Sequence, residues 1–253
     1  MARIRILGSG TSTGVPSIGC NCGVCQSSNP KDKRLRTSAL YEDHGVRILL
    51  DCGPDFRQQI LPLPFQAIDA VFISHEHFDH VGGIDDLRAF SYESELPIYA
   101  NKLTVEHLKQ RMPYCFVDKS YPGIPRLSLH TVEAGVPVAV GPLSIMPISV
   151  LHGSLDILAY RIGKMAYITD MLSMPEESYA LLQNLDVLII NALRHAPHRT
   201  HQTLEQALEV SERIGAQSTY FIHMSDAIGL HERVDSHLPK DCHLAYDGLE
   251  IEL

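Results

Sequence analysis

Tryptophan is absent from the 253-residue chain, and phenylalanine and tyrosine bring the aromatic share to only 7%. The 14 histidines therefore have few large rings to pack among, and an excess of this kind points to metal or proton chemistry. Long apolar runs are also missing: none approaches the roughly 18 to 20 residues a membrane-spanning helix needs, so no membrane partner is expected. The opening Met1–Leu7 lacks the apolar core and cleavage site of a signal peptide, and a cytoplasmic location is the expectation. Positive charge is in deficit, with 21 Lys and Arg against 30 Asp and Glu and a net charge of -9. That balance disfavours a broad electrostatic grip on nucleic acid and favours a small substrate. Internal repeats and low-complexity tracts are lacking too, and the length suits one α/β domain over residues 1–253. Composition leaves open whether the chain pairs as a homodimer.

What the chain does have is Ser74-His75-Glu76-His77-Phe78-Asp79-His80-Val81-Gly82-Gly83, placed directly after the apolar run Asp69–Ile73. The run reads as a buried strand ending in a loop. In an extended segment His75 and His77 project the same way and can grip one ion, while Asp79 and His80 turn toward a second position beside it. Any one of these residues alone is better read as part of a solvated loop; the whole spacing followed by Gly-Gly is not. Asp79 also falls where a helix running to about Phe90 would begin, with its carboxylate favoured at the helix N-terminus. Further along, His152, Asp170 and His223 each follow a strand-like run, at the ends where active sites are commonly assembled. Asp51, closing the strand from Val46, is placed to orient a histidine.

The six cysteines do not form a disulfide framework. Cys20, Cys22 and Cys25 lie in a loop at about residues 18–30, and in a reducing compartment C-x-C-x-x-C reads as zinc ligation with a fourth ligand from elsewhere. Gly8–Gly14 is rich in Gly, Ser and Thr but lacks the Gly-Lys-Ser/Thr ending of a phosphate-binding P-loop. Pro113 to Pro125 reads as a loop near the substrate. The runs from Leu127 to Thr169 read as a second, mostly antiparallel sheet, and Leu244 to Ile251 as a terminal hairpin turning at Asp247-Gly248. Arg194–His201, with three histidines and two arginines, has no apolar period and reads as a loop.

In order and placement, His75-x-His77-x-Asp79-His80 with His152, Asp170 and His223 resembles the metallo-β-lactamase superfamily across nearly the whole chain. The resemblance implies a four-layer αββα sandwich with two Zn²⁺ or Mn²⁺ ions. His75, His77 and His152 would hold one ion, Asp79, His80 and His223 the other, and Asp170 would bridge them. Within the superfamily, the Gly8–Ser12 stretch, the cysteine loop and His201 are similar to the cyclic phosphodiesterase of phosphonate breakdown, a subgroup related to ribonuclease Z. There the three cysteines and a histidine hold a structural zinc; here the histidine's position is Asp226, so a third ion would sit in a Cys20, Cys22, Cys25, Asp226 set. The chemistry so implied is hydrolysis of a small phosphodiester. Two ions would share a water, lower its pKa and set it in line with the leaving oxygen, and His201, near its ordinary pKa of about 6.5, would protonate that oxygen. Asp79 and His201 are then the catalytic pair. The competing expectations are a tRNA-processing nuclease of the ribonuclease Z kind, for which no long basic arm is visible, and a non-catalytic cofactor-biosynthesis accessory protein, whose metal motif is usually impaired.

Overall fold

Alternation of apolar side chains in short β-branched runs makes strands, and where both faces are apolar the strand must be covered twice. Ile48, Leu49 and Leu50 are all buried, with Ile48 and Leu50 in one apolar cluster and Leu49 in another. The computed structural model, which describes residues 2–116 and 125–253, carries this pattern through two sheets. The strands are β1 (Arg3–Gly8), β2 (Ser38–Asp43), β3 (Val46–Leu50), β4 (Ala70–Phe72), β5 (Leu96–Ala100), β6 (Leu127–Thr131), β7 (Val138–Val140) and β8 (Leu143–His152). They continue with β9 (Leu155–Ile162), β10 (Met165–Ile168), β11 (Val187–Asn191), β12 (Ser218–Ile222), β13 (Cys242–Leu244) and β14 (Glu250–Glu252). One sheet runs β14-β1-β2-β3-β4-β5-β6 and the other β13-β12-β11-β10-β9-β8-β7.

Three apolar layers follow. Ile4, Ile48 and Phe72 of the first sheet meet Leu158, Tyr160 and Ile189 of the second in the central core. On the outer face of the first sheet, Leu49, Val71 and Ile98 pack with Phe56 of α1 (Phe56–Ile60), Val81 of α2 (Phe78–Val81) and Leu108 of α3 (Lys102–Arg111). On the outer face of the second, Ile168, Leu188 and Ile190 are in the cluster with Leu204 and Ala207 of α5 (Leu204–Ile214), which follows the short α4 (Glu176–Ala180). A last short helix, α6 (His231–Asp235), lies against β13. The architecture is the αββα sandwich.

Several local expectations need correction. The helix expected from Asp79 to Phe90 is broken: α2 ends at Val81, Gly82-Gly83 intervenes, and Ile84–Phe90 is a 3-10 helix. A Cβ on Gly83 would sit 2.1 Å from the Gly53 carbonyl oxygen, so close backbone packing dictates both the glycine and the break. The strand beginning at Leu127 belongs to the first sheet, parallel to β5. The rest of that run, β7 to β10, is antiparallel as expected, and the sheet continues past it with β10 through β13 parallel. Leu244 to Ile251 is no hairpin: β13 pairs with β12, whereas β14 crosses to β1 in the other sheet. Of the expected substrate loop at Pro113–Pro125, residues 117–124 lie outside the described residues. No helix among the described residues is long and apolar enough to cross a membrane.

Candidate metal centre

Strand ends deliver the site. β4 leads through Ile73 into Ser74 and His75, β8 ends on His152, β10 leads to Asp170, and β12 is followed by His223. Two of these junctions, and the one after β3, turn sharply on non-glycine residues in the left-handed region: Asp170 (φ 57°), His223 (φ 55°) and Asp51 (φ 58°). Such conformations are disfavoured and cluster where surrounding structure forces a side chain to aim at a site.

The side chains converge in two groups, with the ligand-type atoms of each within 4.8 Å of one another. One is His75, His77 and His152; the other is Asp79, His80, Asp170 and His223. His75 Nε2 is 3.0 Å from His77 Nδ1. His80 Nε2 lies 3.2 Å from an Asp79 oxygen and 3.1 Å from an Asp170 oxygen, and His223 Nε2 is 3.1 Å from the other Asp170 oxygen. Asp170 thus stands between the two imidazoles. His201, buried beside them, has its ring 4.6 Å from that of His152 and 4.9 Å from that of His223, and its Nδ1 3.7 Å from Asp170. All eight residues the sequence singled out for the dinuclear centre and its acid are brought to one place.

Beneath them the sequence reading named Asp51 and missed its helpers. Asp51 Oδ2 accepts from His80 Nδ1 at 2.9 Å, and its two oxygens accept from the Ser74 backbone and hydroxyl and, at 3.3 Å, from the Tyr167 hydroxyl. With its proton given to Asp51, Ser74 Oγ accepts from His75 Nδ1 at 3.0 Å. His152 Nδ1 donates to the Asp170 carbonyl at 2.8 Å. In all three histidines Nδ1 is therefore the donor, which leaves the Nε2 lone pair toward the pocket, as a metal ligand requires. Asn191, at the end of β11, clamps the chain beyond Asp170 by exchanging two hydrogen bonds with Met171. The only sequence signal for Ser74 and Tyr167 was that each sits at or near the end of a strand in the neighbourhood of a ligand.

The electrostatics agree with a cation site. Burial would lower the pKa of His80, yet Asp170, Asp79 and Asp51 outweigh it and hold it well above its ordinary value. Burial would raise Asp79 and Asp170, yet neighbouring His80 and His223 hold both carboxyls well below the usual range. Three carboxylates in a water-poor pocket demand positive charge. His80 Nε2 is buried without a hydrogen-bond partner despite the nearby oxygens, the arrangement expected of nitrogen and oxygen atoms that share an ion rather than a proton. The residues fit two divalent cations of the Zn²⁺ or Mn²⁺ type. His75 and His77 are pushed down, mainly by burial, so both imidazoles are neutral at pH 7, the form that ligation needs. His201 departs from expectation: burial, reinforced by His223 and His152, pushes it down to about 3, so it is not half-protonated at neutral pH in this setting.

A second cluster lies away from the first. Asp226 Oδ2 is 3.5 Å from Cys20 Sγ and 3.3 Å from Cys22 Sγ, and Cys25 completes a four-ligand group. The Cys25 backbone N–H, donating to Cys22 Sγ at 3.4 Å, lowers the Cys22 thiol.

The family profile described as a beta-lactamase superfamily domain matches residues 46–224. A protein of Porphyromonas gingivalis named octanoyltransferase is 46% identical over 250 residues, which is 98% of this chain but 51% of that protein. The chain spans about half the length of the curated relatives it matches first. Among solved structures, a new diphosphatase from the PhnP family superposes with a TM-score of 0.93 at 40% identity, covering 99% of this chain and 96% of that one. Zn²⁺-bound PqqB from Methylobacterium extorquens has a TM-score of 0.82 at 20% identity, over 99% of this chain and 100% of that one, a likeness of fold.

Proposed function

This chain belongs to the metallo-β-lactamase superfamily, and on that premise we propose that it is a dinuclear metal-dependent hydrolase of phosphoric diesters, acting on a small substrate. The observation that carries the reading is that Asp170 is within ligand distance of both sets, grouped with Asp79, His80 and His223 on one side and with His152 and His201 on the other. Two divalent cations, when bound by these residues, supply Lewis-acid polarisation of a phosphoryl oxygen and a water acidified toward neutral pH. His75, His77 and His152 would hold one ion, Asp79, His80 and His223 the other, and Asp170 both. Asp51 fixes the His80 tautomer and, through Ser74, that of His75.

His201 is the proton donor to the leaving oxygen. Its low pKa is set by burial and by neighbouring imidazoles; an anionic substrate alongside favours its charged form, so it takes up a proton as substrate binds. Cys20, Cys22, Cys25 and Asp226 are the place for a structural zinc with three sulfur ligands and one oxygen, tied to the catalytic loop because Asp226 lies three residues after His223.

The diphosphatase likeness at 40% identity favours substrates with a phosphoric anhydride among the diesters. A second reading has one observation behind it: the 46% identity to half of a protein named octanoyltransferase, which favours an acyl ester or thioester. The test loads purified protein with Mn²⁺ or Zn²⁺ and compares bis(p-nitrophenyl) phosphate, a 2′,3′-cyclic nucleotide, a nucleoside diphosphate sugar, a pre-tRNA and an octanoyl thioester. Turnover of the small phosphodiesters is expected; turnover of the thioester alone overturns the proposal. His201→Ala should lower kcat by about 10² to 10⁴ on an alkoxide leaving group and far less on p-nitrophenolate, which leaves without a proton.

A further inference from the structure

Residues 194–201 contain two arginines and three histidines and no carboxylate, in a chain whose net charge is -9. The segment ends on His201 beside the site and packs there against the turn after His152, while a second set of bonds braces it internally. Thr200 packs so closely over the turn after His152 that a Cβ on Gly153 would come within 2.9 Å of its methyl group. Arg194 donates from its guanidinium to the Ala196 and Pro197 carbonyls at 3.0 Å each and so ties the loop to itself. Among the described residues neither Arg194 nor Arg199 pairs with a carboxylate, and their charge is left for something else.

Of the side chains in this field that the mechanism does not use, His198 is the one placed against His201. Its ring lies 5.0 Å from that of His201, on the solvent side. The Thr200 backbone N–H donates to His198 Nδ1 at 3.3 Å, and the Thr200 hydroxyl lies at the same distance. A backbone N–H can only donate, so Nδ1 is the acceptor and the ring proton resides on Nε2. That N–H has no partner among the described residues. A fixed donor, two unneutralised guanidinium groups and the adjacent His201 together make a place for an anionic group.

We propose that His198, with Arg194 and Arg199 supplying the field, forms a subsite for a second phosphoryl group on the leaving-group side of the substrate, so that the centre selects diphosphate-bridged diesters over diesters with uncharged leaving groups. The inference rests on the phosphohydrolase reading for its chemistry. One phosphoryl group sits over the metal ligands, the bridging oxygen faces His201, and the second phosphoryl group accepts from His198 Nε2.

The test uses metal-loaded wild type, His198→Ala and His198→Gln, each checked for folding by circular dichroism; glutamine keeps a side-chain N–H donor. Two ratios are measured: kcat/KM for a nucleoside diphosphate sugar over that for bis(p-nitrophenyl) phosphate, and Kd for AMP over that for non-hydrolysable α,β-methylene-ADP. Loss of a hydrogen bond to a charged group should lower both ratios about tenfold to a hundredfold in His198→Ala, with His198→Gln recovering most of the loss. Unchanged ratios in His198→Ala overturn the subsite, and so does an equal fall in both variants. Should wild type turn over neither substrate, the phosphohydrolase reading fails while the Kd ratio still decides whether the subsite exists.

Discussion

At the scale of single residues, the organising group is Asp51, which is fully buried and belongs to neither candidate ligand group. Its carboxylate receives four donors, from the Ser74 backbone and hydroxyl, His80 and Tyr167. It thereby sets which nitrogen of His80, and by relay of His75, faces the pocket. Outer partners of this kind typically govern metal affinity by 10- to 100-fold. Asp51→Ala should weaken Zn²⁺ binding by about that factor, measured by competition with a chromogenic chelator; affinity equal to wild type would show that the ligands hold their own orientation. The two candidate ligand groups were legible as a cluster because His75, His77, Asp79 and His80 are close in sequence and the remaining three follow strand-like runs. Ser74 and Tyr167 were not, since a serine or tyrosine at a strand end is ordinary until the fold brings a carboxylate to it. The proton state of His201 was illegible for the same reason, because its burial among other imidazoles comes from elements far apart in the chain.

At the scale of elements, the ligand-bearing helix α2 depends on a backbone-to-backbone contact. The Cys52 N–H donates to the His80 carbonyl at 2.8 Å and the Gly83 N–H to the Cys52 carbonyl at 2.9 Å. Gly53 lets the loop approach: a Cβ there would fall 2.0 Å from the Asp79 carbonyl oxygen. Gly53→Ala must push Asp79 and His80 outward, at a cost of about 1–3 kcal/mol for overpacking. Both a lower Tm and weaker metal binding are expected by thermal denaturation with and without Zn²⁺; an unaltered Tm would contradict the packing argument. Sequence pattern placed the strand from Val46 and the apolar run Asp69–Ile73 within a residue of β3 and β4 because a buried apolar run is a local signal. It misassigned β6 and missed the α2 break, because β6 joins the first sheet only by pairing with β5, some 30 residues earlier, and the break depends on Gly53 from another segment. The Asp247-Gly248 turn looked like a hairpin for the same reason: the two residues make a sharp bend wherever the flanking strands go.

At the scale of the whole molecule, that bend carries the chain from one sheet to the other, and Asp247 pins it. Its half-buried carboxylate accepts from the Ser9 backbone and hydroxyl and from the Leu35 N–H at 2.7 to 2.9 Å. Burial outweighs these bonds and raises its pKa to about 6, above the unfolded value of roughly 3.9. The folded state therefore binds this proton more tightly than the unfolded state. The stabilisation is full below about pH 4 and is lost as pH rises through about 6, a swing of roughly 3 kcal/mol. Asp247→Asn should flatten the stability profile between pH 4 and 6, as read by urea denaturation; an identical slope in the variant would assign the dependence to other groups. Two sheets stitched in this way bring ligands from β4, β8, β10 and β12 to one edge, and the account stands or falls on what that edge holds. The most direct measurement is an anomalous-difference map from crystals of the protein loaded with Mn²⁺ or Zn²⁺. Two peaks about 3.5–4 Å apart, one against His75, His77 and His152, the other against Asp79, His80 and His223, with Asp170 between them, are predicted. A single peak, or none within reach of Asp170, would contradict the account.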